Sequence, residues 1–177
     1  MPEEISFVKR MGMATKKYVL NKEVTAKKLE RMAYEVMENN MEENSIILAG
    51  IRDNGLVIAK VIQQTLSKIS SFTTDLISIS LDKRSPSDIV LSEKYDFNGK
   101  VIIIVDDVVS SGKTLLYSLK PFLEFQPKKI QTLVLVERSY KNFPVRPDYV
   151  GLSISTTLQD HIFVEVRNGE IMGAYLE

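Results

Sequence analysis

The stretch Val101-Ile-Ile-Ile-Val-Asp-Asp-Val-Val-Ser-Ser-Gly-Lys-Thr114 decides the fold of this chain. Its first five residues are all apolar, which is typical of a central parallel strand covered by helices on both faces. The polar residues that follow predict a turn over residues 106–113. Leucine and phenylalanine residues at helical spacing then predict a helix over residues 114–125. The stretch therefore predicts a buried strand, a turn and a helix, in that order.

The same alternation of strands and helices extends on both sides of this stretch. Helices are predicted over residues 22–39 and 56–62, and strands over residues 45–49, 75–81 and 130–136. Residues 82–100 read as a polar loop, and Asn168-Gly169 between strands over residues 162–166 and 171–175 predicts a hairpin. The order indicates an α/β domain with a central parallel sheet and right-handed crossovers.

Length and composition limit the possible classes of protein. A chain of 177 residues is expected to form a single domain over residues 1–177. Lys and Arg (23) balance Asp and Glu (23), so no net charge draws the chain to nucleic acid or to a membrane. The absence of cysteine excludes disulfides and thiolate metal sites. The apolar runs are too short to span a membrane, and the start Met-Pro-Glu-Glu does not resemble a signal peptide. We therefore expect a cytoplasmic protein.

The turn after the central strand carries the residues of a binding site, because ligands of open parallel sheets bind beyond the carboxyl ends of the strands. Small polar residues at the start of a helix offer backbone N–H groups and a positive dipole end to a phosphate. Asp106 and Asp107 instead suit hydroxyl groups or a hydrated metal ion. A ribose 5-phosphate would satisfy both halves. The alternative is a solvated strand end followed by an ordinary helix cap.

Gly112-Lys113-Thr114 also ends the P-loop pattern of nucleotide-binding proteins. That pattern requires a glycine five positions before Gly112, and the residue there is Asp107. The spacing therefore excludes a P-loop.

Taken together, the stretch closely resembles the phosphoribosyl pyrophosphate signature of type I phosphoribosyltransferases. Within that family the chain is most similar to the bifunctional pyrimidine operon attenuators that are also uracil phosphoribosyltransferases. Three further stretches carry this resemblance: Ile47-Leu-Ala-Gly-Ile-Arg-Asp-Asn-Gly55, Leu133-Val-Leu-Val-Glu-Arg138 and Phe143-Pro-Val-Arg-Pro-Asp-Tyr-Val-Gly151. The resemblance implies a central parallel sheet flanked by helices, with a small hood built from the two ends of the chain.

The resemblance also implies the roles of individual residues. Asp106 and Asp107 would be catalytic and contact the ribose hydroxyls, and Lys83 and Arg84 would supply a cation to the leaving pyrophosphate from a mobile loop. Solvated loop charges are the alternative for those two cations. Mg²⁺ would arrive with phosphoribosyl pyrophosphate and lie near the two aspartates, without a direct protein cage. The implied substrate-binding residues are Ser110, Ser111, Gly112, Lys113 and Thr114 for the 5-phosphate, and Arg52, Asp53 and Asn54 for pyrophosphate.

The sequence gives fewer indications of which nucleobase accepts the phosphoribosyl group than of how the donor binds. In hypoxanthine and guanine enzymes of this fold an aspartate lies three residues beyond the acidic pair, and here that position is Ser110. This favours uracil, although the bifunctional relatives usually carry a tyrosine there. Glu137 and Arg138 follow a buried strand and are the predicted contacts to the base, with a surface ion pair as the alternative. His161, the single histidine, reads as a surface residue.

Two functions of different class remain, and a third has less support. Phosphoribosyl transfer to a nucleobase, uracil favoured, ranks first. A nucleotide-sensing, RNA-binding attenuator of pyrimidine genes ranks second, because Lys27-Lys28 and Lys128-Lys129 are scattered pairs with acidic neighbours. A binding module without catalysis is disfavoured by the complete acidic pair and phosphate turn. The resemblance further implies a homodimer or a higher homo-oligomer.

Overall fold

The computed structural model describes residues 16–82, 88–157 and 160–177. Within these ranges the chain forms strands, α-helices and one short 3-10 helix. In chain order they are β1 Lys17–Asn21, α1 Lys22–Glu38, β2 Ser45–Ile51, α2 Asn54–Ile69, β3 Thr73–Leu81, β4 Ile89–Leu91, β5 Val101–Val109, α3 Lys113–Ser118, the 3-10 helix Lys120–Phe122, β6 Lys129–Arg138, β7 Tyr149–Ile154, β8 Ile162–Arg167 and β9 Glu170–Leu176.

The main sheet has the strand order β4-β3-β2-β5-β6-β7, and all its strands are parallel except β4, which is antiparallel to β3. β5 lies between β2 and β6. Its side chains alternate between two cores: Ile103 packs with residues of α1 and α2, whereas Ile102 and Ile104 pack with Phe122 on the opposite face. The all-apolar start of β5 is thus explained, because both faces of the sheet are covered. The predicted α/β class is confirmed.

A second, three-stranded antiparallel sheet with the order β1-β9-β8 forms the hood. β1 comes from the first described residues and pairs with β9 from the last, so both ends of the described chain build it. The hairpin between β8 and β9 turns through Asn168 and Gly169 with φ of 51° and 79°, the left-handed values that a tight two-residue hairpin requires. The predicted hood and hairpin are both present.

Two predicted boundaries near the site were wrong. β5 continues through residues 106–109 where the sequence predicted a turn, because β6 extends beside it and pairs Asp106 with Val134 and Val109 with Glu137. The helix predicted over residues 114–125 ends at Ser118. Pro121 has no N–H to donate, and its ring would clash with the carbonyl four residues earlier, so the chain continues as a 3-10 helix.

Two smaller features also differ from the prediction. The loop predicted over residues 82–100 contains β4, which pairs with the end of β3. β2 runs through Gly50 to Ile51 instead of ending at residue 49. None of the helices in the described part of the chain is long and apolar enough to cross a membrane.

Glu165 of β8 is the centre of a polar network in the hood. Its carboxylate accepts hydrogen bonds from the Tyr18 hydroxyl, from Arg167 at 2.7 Å and from Lys16 at 3.2 Å. The hydrogen bond from Tyr18, followed by that from Arg167, lowers the pKa of Glu165 from 4.5 to about 2. Because Tyr18 is on β1 and Glu165 is on β8, the network ties the two outer strands of the hood across β9.

Substitution Glu165→Gln tests this network through the pH dependence of stability. The folded-state pKa lies below the ordinary value of 4.5, so ionised Glu165 stabilises the fold above about pH 4.5 and this contribution is lost as the pH falls toward 2. We expect the variant to melt below the wild type at pH 7, and the Tm difference to narrow between pH 4.5 and 3. Circular dichroism melting curves measure it.

Glu23→Gln is the matched control, since Glu23 pairs with Lys27 on the exposed face of α1. It should change Tm little at any pH. A Tm difference for Glu165→Gln that stays constant with pH would contradict the assigned role of its charge.

Candidate functional site

The candidate site lies where the carboxyl ends of β2 and β5 meet. From β2 the chain proceeds to β3 on one side of the sheet, whereas β5 is followed by β6 on the other, so the strand order reverses between β2 and β5. Such a switch point opens a crevice beyond the strand ends. The pairing of β2 with β5 ends at Gly50 and Val105, so residues 106–109 of β5 extend past β2 into this crevice.

A cleft of about 320 Å³ fills the crevice. Polar residues from β5, the following turn and the start of α2 form one wall, and the apolar residues of β8 in the hood form the other. The polar wall contains Asn54, Asp106, Asp107, Ser110, Ser111, Gly112 and Thr114, and the apolar wall contains Ile162, Phe163 and Val164. Five of the ten predicted substrate-binding residues, and both predicted aspartates, therefore line one cleft.

The two carboxylates at the end of β5 differ in their surroundings. Asp106 is 1% exposed, and its Oδ1 accepts the amide of Asp107 at 2.9 Å. Asp107 is half-buried, with Oδ1 accepting the Val108 amide at 2.9 Å and Oδ2 accepting the side-chain amide of Asn54 at 2.8 Å. Asp107 is therefore the more accessible of the two to a ligand, and both of its oxygens are held in place.

The turn at residues 110–112 is fixed by the conformation of a glycine and by hydrogen bonds from a later segment of the chain. Gly112 has φ of 83°, a left-handed conformation that favours glycine, and it is the N-cap residue just before α3. The Ser111 carbonyl accepts the amides of both Asn142 and Phe143 at 3.0 Å. Because α3 has only six residues, fewer than two turns, its dipole is weaker than the predicted longer helix would provide. The anchored backbone therefore contributes more to the shape of this turn than the helix does.

The segment that anchors the turn is itself fixed by an ion pair. Lys141 binds Glu137 at the end of β6, and both side chains are only 12–13% exposed. These two residues line a second pocket together with Phe143 and Arg146. The structure thus pairs Glu137 with Lys141, and its predicted contact with a base stays a prediction.

Two glycines, one at each end of the loop between β2 and α2, allow close packing there. A Cβ on Gly55 would lie 2.6 Å from the Val105 carbonyl oxygen, and one on Gly50 would lie 2.6 Å from Cα of Leu56. The glycines thus permit close packing, and neither has a positive φ. Arg52 and Asp53, joined by a cis peptide bond, line a small pocket of about 170 Å³ with Asn54 and Asp107.

Two further predicted residues, Lys113 and Arg138, do not line the cleft. Lys113 is the first residue of α3, and its backbone N–H donates a hydrogen bond to Ser111 Oγ at 3.3 Å. Arg138 donates to the carbonyl of Asp160, while its Nε is buried without a partner in the described structure. Lys83 and Arg84 lie outside the described residues. The predicted roles of these residues stay predictions.

Sequence reasoning missed the apolar wall of the cleft. The alternation of residues 162–166 predicted the strand β8. The position of β8 over the ends of β2 and β5 was not predictable, because β8 is held there by pairing with β9, which in turn pairs with β1. Phe163 is 42% exposed on this strand, and its ring stacks on Tyr175 with 5.5 Å between centroids. In the sequence, the only indication of the apolar wall was Phe163, a large aromatic residue at a position that the alternation predicts to point outward. His161 beside it is exposed.

Comparison with known proteins agrees with this geometry. Residues 17–167 match the family model described as phosphoribosyl transferase domain. Bifunctional protein PyrR of Streptococcus pneumoniae is 33% identical over 161 residues, covering 87% of this chain and 91% of that protein. Bifunctional protein PyrR of Macrococcus caseolyticus is 31% identical over 158 residues, covering 84% and 91%.

Solved structures show the same fold. The hypoxanthine phosphoribosyltransferase of Trypanosoma cruzi superposes with a TM-score of 0.76 at 15% identity, over 90% of this chain and 95% of that one. A hypoxanthine-guanine phosphoribosyltransferase of Bacillus anthracis with HEPES in its active site gives a TM-score of 0.71 at 19% identity, over 89% and 96%. Identities this low show the fold and leave the acceptor base undetermined.

Substitution Gly55→Ala tests the close contact between α2 and β5. The added methyl would meet backbone atoms of Val105 and Asp106, which cannot move without displacing the strand that carries the carboxylates. We expect a loss of about 1–3 kcal/mol in the free energy of unfolding, typical of overpacking. Urea denaturation measures it.

Lys60→Ala, at an exposed position of the same helix, is the matched control and should unfold close to the wild type. A Gly55→Ala variant with the wild-type denaturation midpoint would show that the contact is looser than described.

Proposed function

Since this chain belongs to the phosphoribosyltransferase family, we propose that it transfers the 5-phosphoribosyl group from phosphoribosyl pyrophosphate to a nucleobase, with uracil as the favoured acceptor. The observation that carries this proposal is the presence of the Asp106–Asp107 pair and the turn at residues 110–112 in one cleft at the switch point. A ligand with a phosphate at one end and a diol in its middle spans these two features.

In this proposal each wall of the cleft binds a different part of the substrates. The 5-phosphate lies in the turn of residues 110–114, where backbone N–H groups and hydroxyls can donate to it. The ribose hydroxyls lie against Asp107 and Asp106. Pyrophosphate extends toward Arg52 in the adjoining pocket. The base packs on the apolar wall of β8, which has no ionisable side chain among Ile162, Phe163 and Val164.

The reaction itself requires positioning and charge more than a nucleophile. The bond from the anomeric carbon to pyrophosphate breaks, the bond from that carbon to N1 of uracil forms, and the N1 proton is released with pyrophosphate. Positive charge develops on the sugar in the transition state. Carboxylates held in a sheltered cleft stabilise such charge without having to reorganise. Holding both substrates in line supplies the rest of the rate enhancement.

Magnesium fits this site as a partner of the substrate. Asp106 and Asp107 offer the carboxylate oxygens that Mg²⁺ prefers. Among the residues with described positions, no group of three or more His, Cys, Asp or Glu side chains is arranged to hold a metal ion. We propose that Mg²⁺ would bind mainly through the phosphate and hydroxyl oxygens of phosphoribosyl pyrophosphate, with the two aspartates in support.

Ser110 supports uracil over hypoxanthine and guanine. It lines the cleft with a neutral hydroxyl at the position where purine enzymes of this fold carry an aspartate. We further propose that the enzyme acts in the cytoplasm as a homodimer or larger homo-oligomer. The absence of cysteine supports the compartment, and membership of the family supports the assembly.

RNA-binding regulation is the second candidate, because the relatives at 31–33% identity are named bifunctional. RNA affinity depends on cations that neutralise phosphates. Lys27 pairs with Glu23 at 2.7 Å and Lys128 pairs with Glu43 at 2.8 Å, so both basic pairs noted in the sequence are partly compensated within the chain. Transfer therefore ranks above RNA binding.

Asp107→Asn tests the transfer activity. The variant keeps the shape of the side chain but removes the charge that faces the sugar, so turnover should fall by about 100-fold or more with Tm unchanged. Pyrophosphate release with uracil, phosphoribosyl pyrophosphate and Mg²⁺ measures it. Asp75→Asn, an exposed position in β3, is the control and should retain full turnover.

The same assay with hypoxanthine, guanine, adenine and orotate tests the acceptor. Release with another base alone would replace uracil while keeping the transferase. Binding of phosphoribosyl pyrophosphate in calorimetry without release for any base, together with salt-dependent binding of a structured RNA leader, would favour the regulator. Unchanged turnover in Asp107→Asn would remove the assigned site.

A further inference from the structure

Asn54, the first residue of α2, connects the three parts of the molecule that surround the cleft. Its side-chain nitrogen Nδ2 donates to Asp107 Oδ2 at 2.8 Å and to the carbonyl oxygen of Val164 at 3.1 Å. Asp107 belongs to β5 in the main sheet, and Val164 belongs to β8, the edge strand of the hood. One amide group thus joins α2, the acidic pair and the apolar wall.

The orientation of this amide is determined by its partners. A carboxylate oxygen and a backbone carbonyl are acceptors only, so the NH₂ end of Asn54 must face them, and both of its hydrogens are used. Both oxygens of Asp107 are then fixed, Oδ1 by the Val108 amide and Oδ2 by Asn54. Each oxygen keeps a lone pair for a ligand.

From this geometry we propose that Asn54 is a positioning residue for the transfer reaction: it orients the Asp107 carboxylate and holds the apolar wall of β8 at a fixed distance from it. This inference rests on the proposed function. The sequence assigned Asn54 to pyrophosphate, whereas the structure directs both hydrogens of its amide to the protein.

A neutral donor suits this role better than a cation. An arginine or lysine beside Asp107 would orient the carboxylate but would also neutralise it. The amide of Asn54 fixes the oxygen and leaves the negative charge available to the positive charge that develops on the sugar. The second hydrogen bond, to the Val164 carbonyl, ties the apolar wall to the same side chain. The distance between the acidic pair and the apolar wall therefore also depends on Asn54.

A double-mutant cycle between Asn54→Ala and Asp107→Asn tests this role. If Asn54 acts through Asp107, Asn54→Ala should lower kcat by about tenfold or more in the wild-type background, as expected for loss of a hydrogen bond to a charged group. It should have almost no effect on kcat in the Asp107→Asn background. An equal loss in both backgrounds would overturn the proposal. Asn54→Gln, which keeps the amide but displaces it by one methylene, should also lose activity.

The link to the hood has a readout independent of catalysis. Hydrogen–deuterium exchange of residues 162–166 should become faster in Asn54→Ala, since the bond to Val164 is lost, and the KM for uracil should rise. Unchanged exchange in these residues would remove this half of the proposal. Asn44→Ala, an exposed asparagine at the opposite end of β2, should match the wild type in exchange, kcat and Tm.

The cycle also separates failure of this proposal from failure of the proposed function. If Asp107→Asn alone leaves pyrophosphate release unchanged, the assigned transferase site is wrong, whatever Asn54 does. If Asp107→Asn is inactive and Asn54→Ala is fully active with a wild-type Tm, the transferase stands and the positioning role of Asn54 is overturned.

Discussion

The closest approach between the start of α2 and the end of β5 sets the geometry of everything around it. Gly55 lies where any side chain would meet the Val105 carbonyl at 2.6 Å. Because no Cβ intervenes, Asn54 comes within hydrogen-bonding distance of Asp107, and the loop carrying Arg52 opens beside the same carboxylate. The backbone contact at Gly55 therefore sets the positions from which the polar side chains of the site interact.

The parts of the fold that local patterns determine were predictable. The all-apolar run 101–105, the amphipathic stripe of α1 and the Asn168-Gly169 turn each act within a few residues, and each gave the observed element. The extension of β5 through residue 109 was not predictable, since it depends on a partner strand that starts twenty residues later in the sequence. The early end of α3 could have been inferred from Pro121, whose ring excludes a continuing helix.

The candidate site divides in the same way. Asp106, Asp107 and the turn of residues 110–112 lie close together in sequence, so a shared ligand could be proposed for them without a structure. The β8 wall and the partners of Asn54 depend on contacts over 53 and 110 residues of sequence. The Lys141–Glu137 ion pair could also have been anticipated, since the two residues are only four positions apart, whereas the predicted contact of Glu137 with a base stays a prediction.

The placement of the apolar wall on the hood has a consequence for how such an enzyme can diversify. The groups proposed to bind the phosphoribosyl donor belong to β2, β5 and their loops, in the middle of a sheet packed on both faces. Ile162, Phe163 and Val164 belong to the edge strand of a separate small sheet. Ile162 and Val164 pack into the core shared with α1 and α2, whereas Phe163 is 42% exposed, so an exchange at Phe163 disturbs few neighbours. The proposed acceptor preference can therefore drift at this one position over evolutionary time while the donor half, and the chemistry it serves, is inherited unchanged.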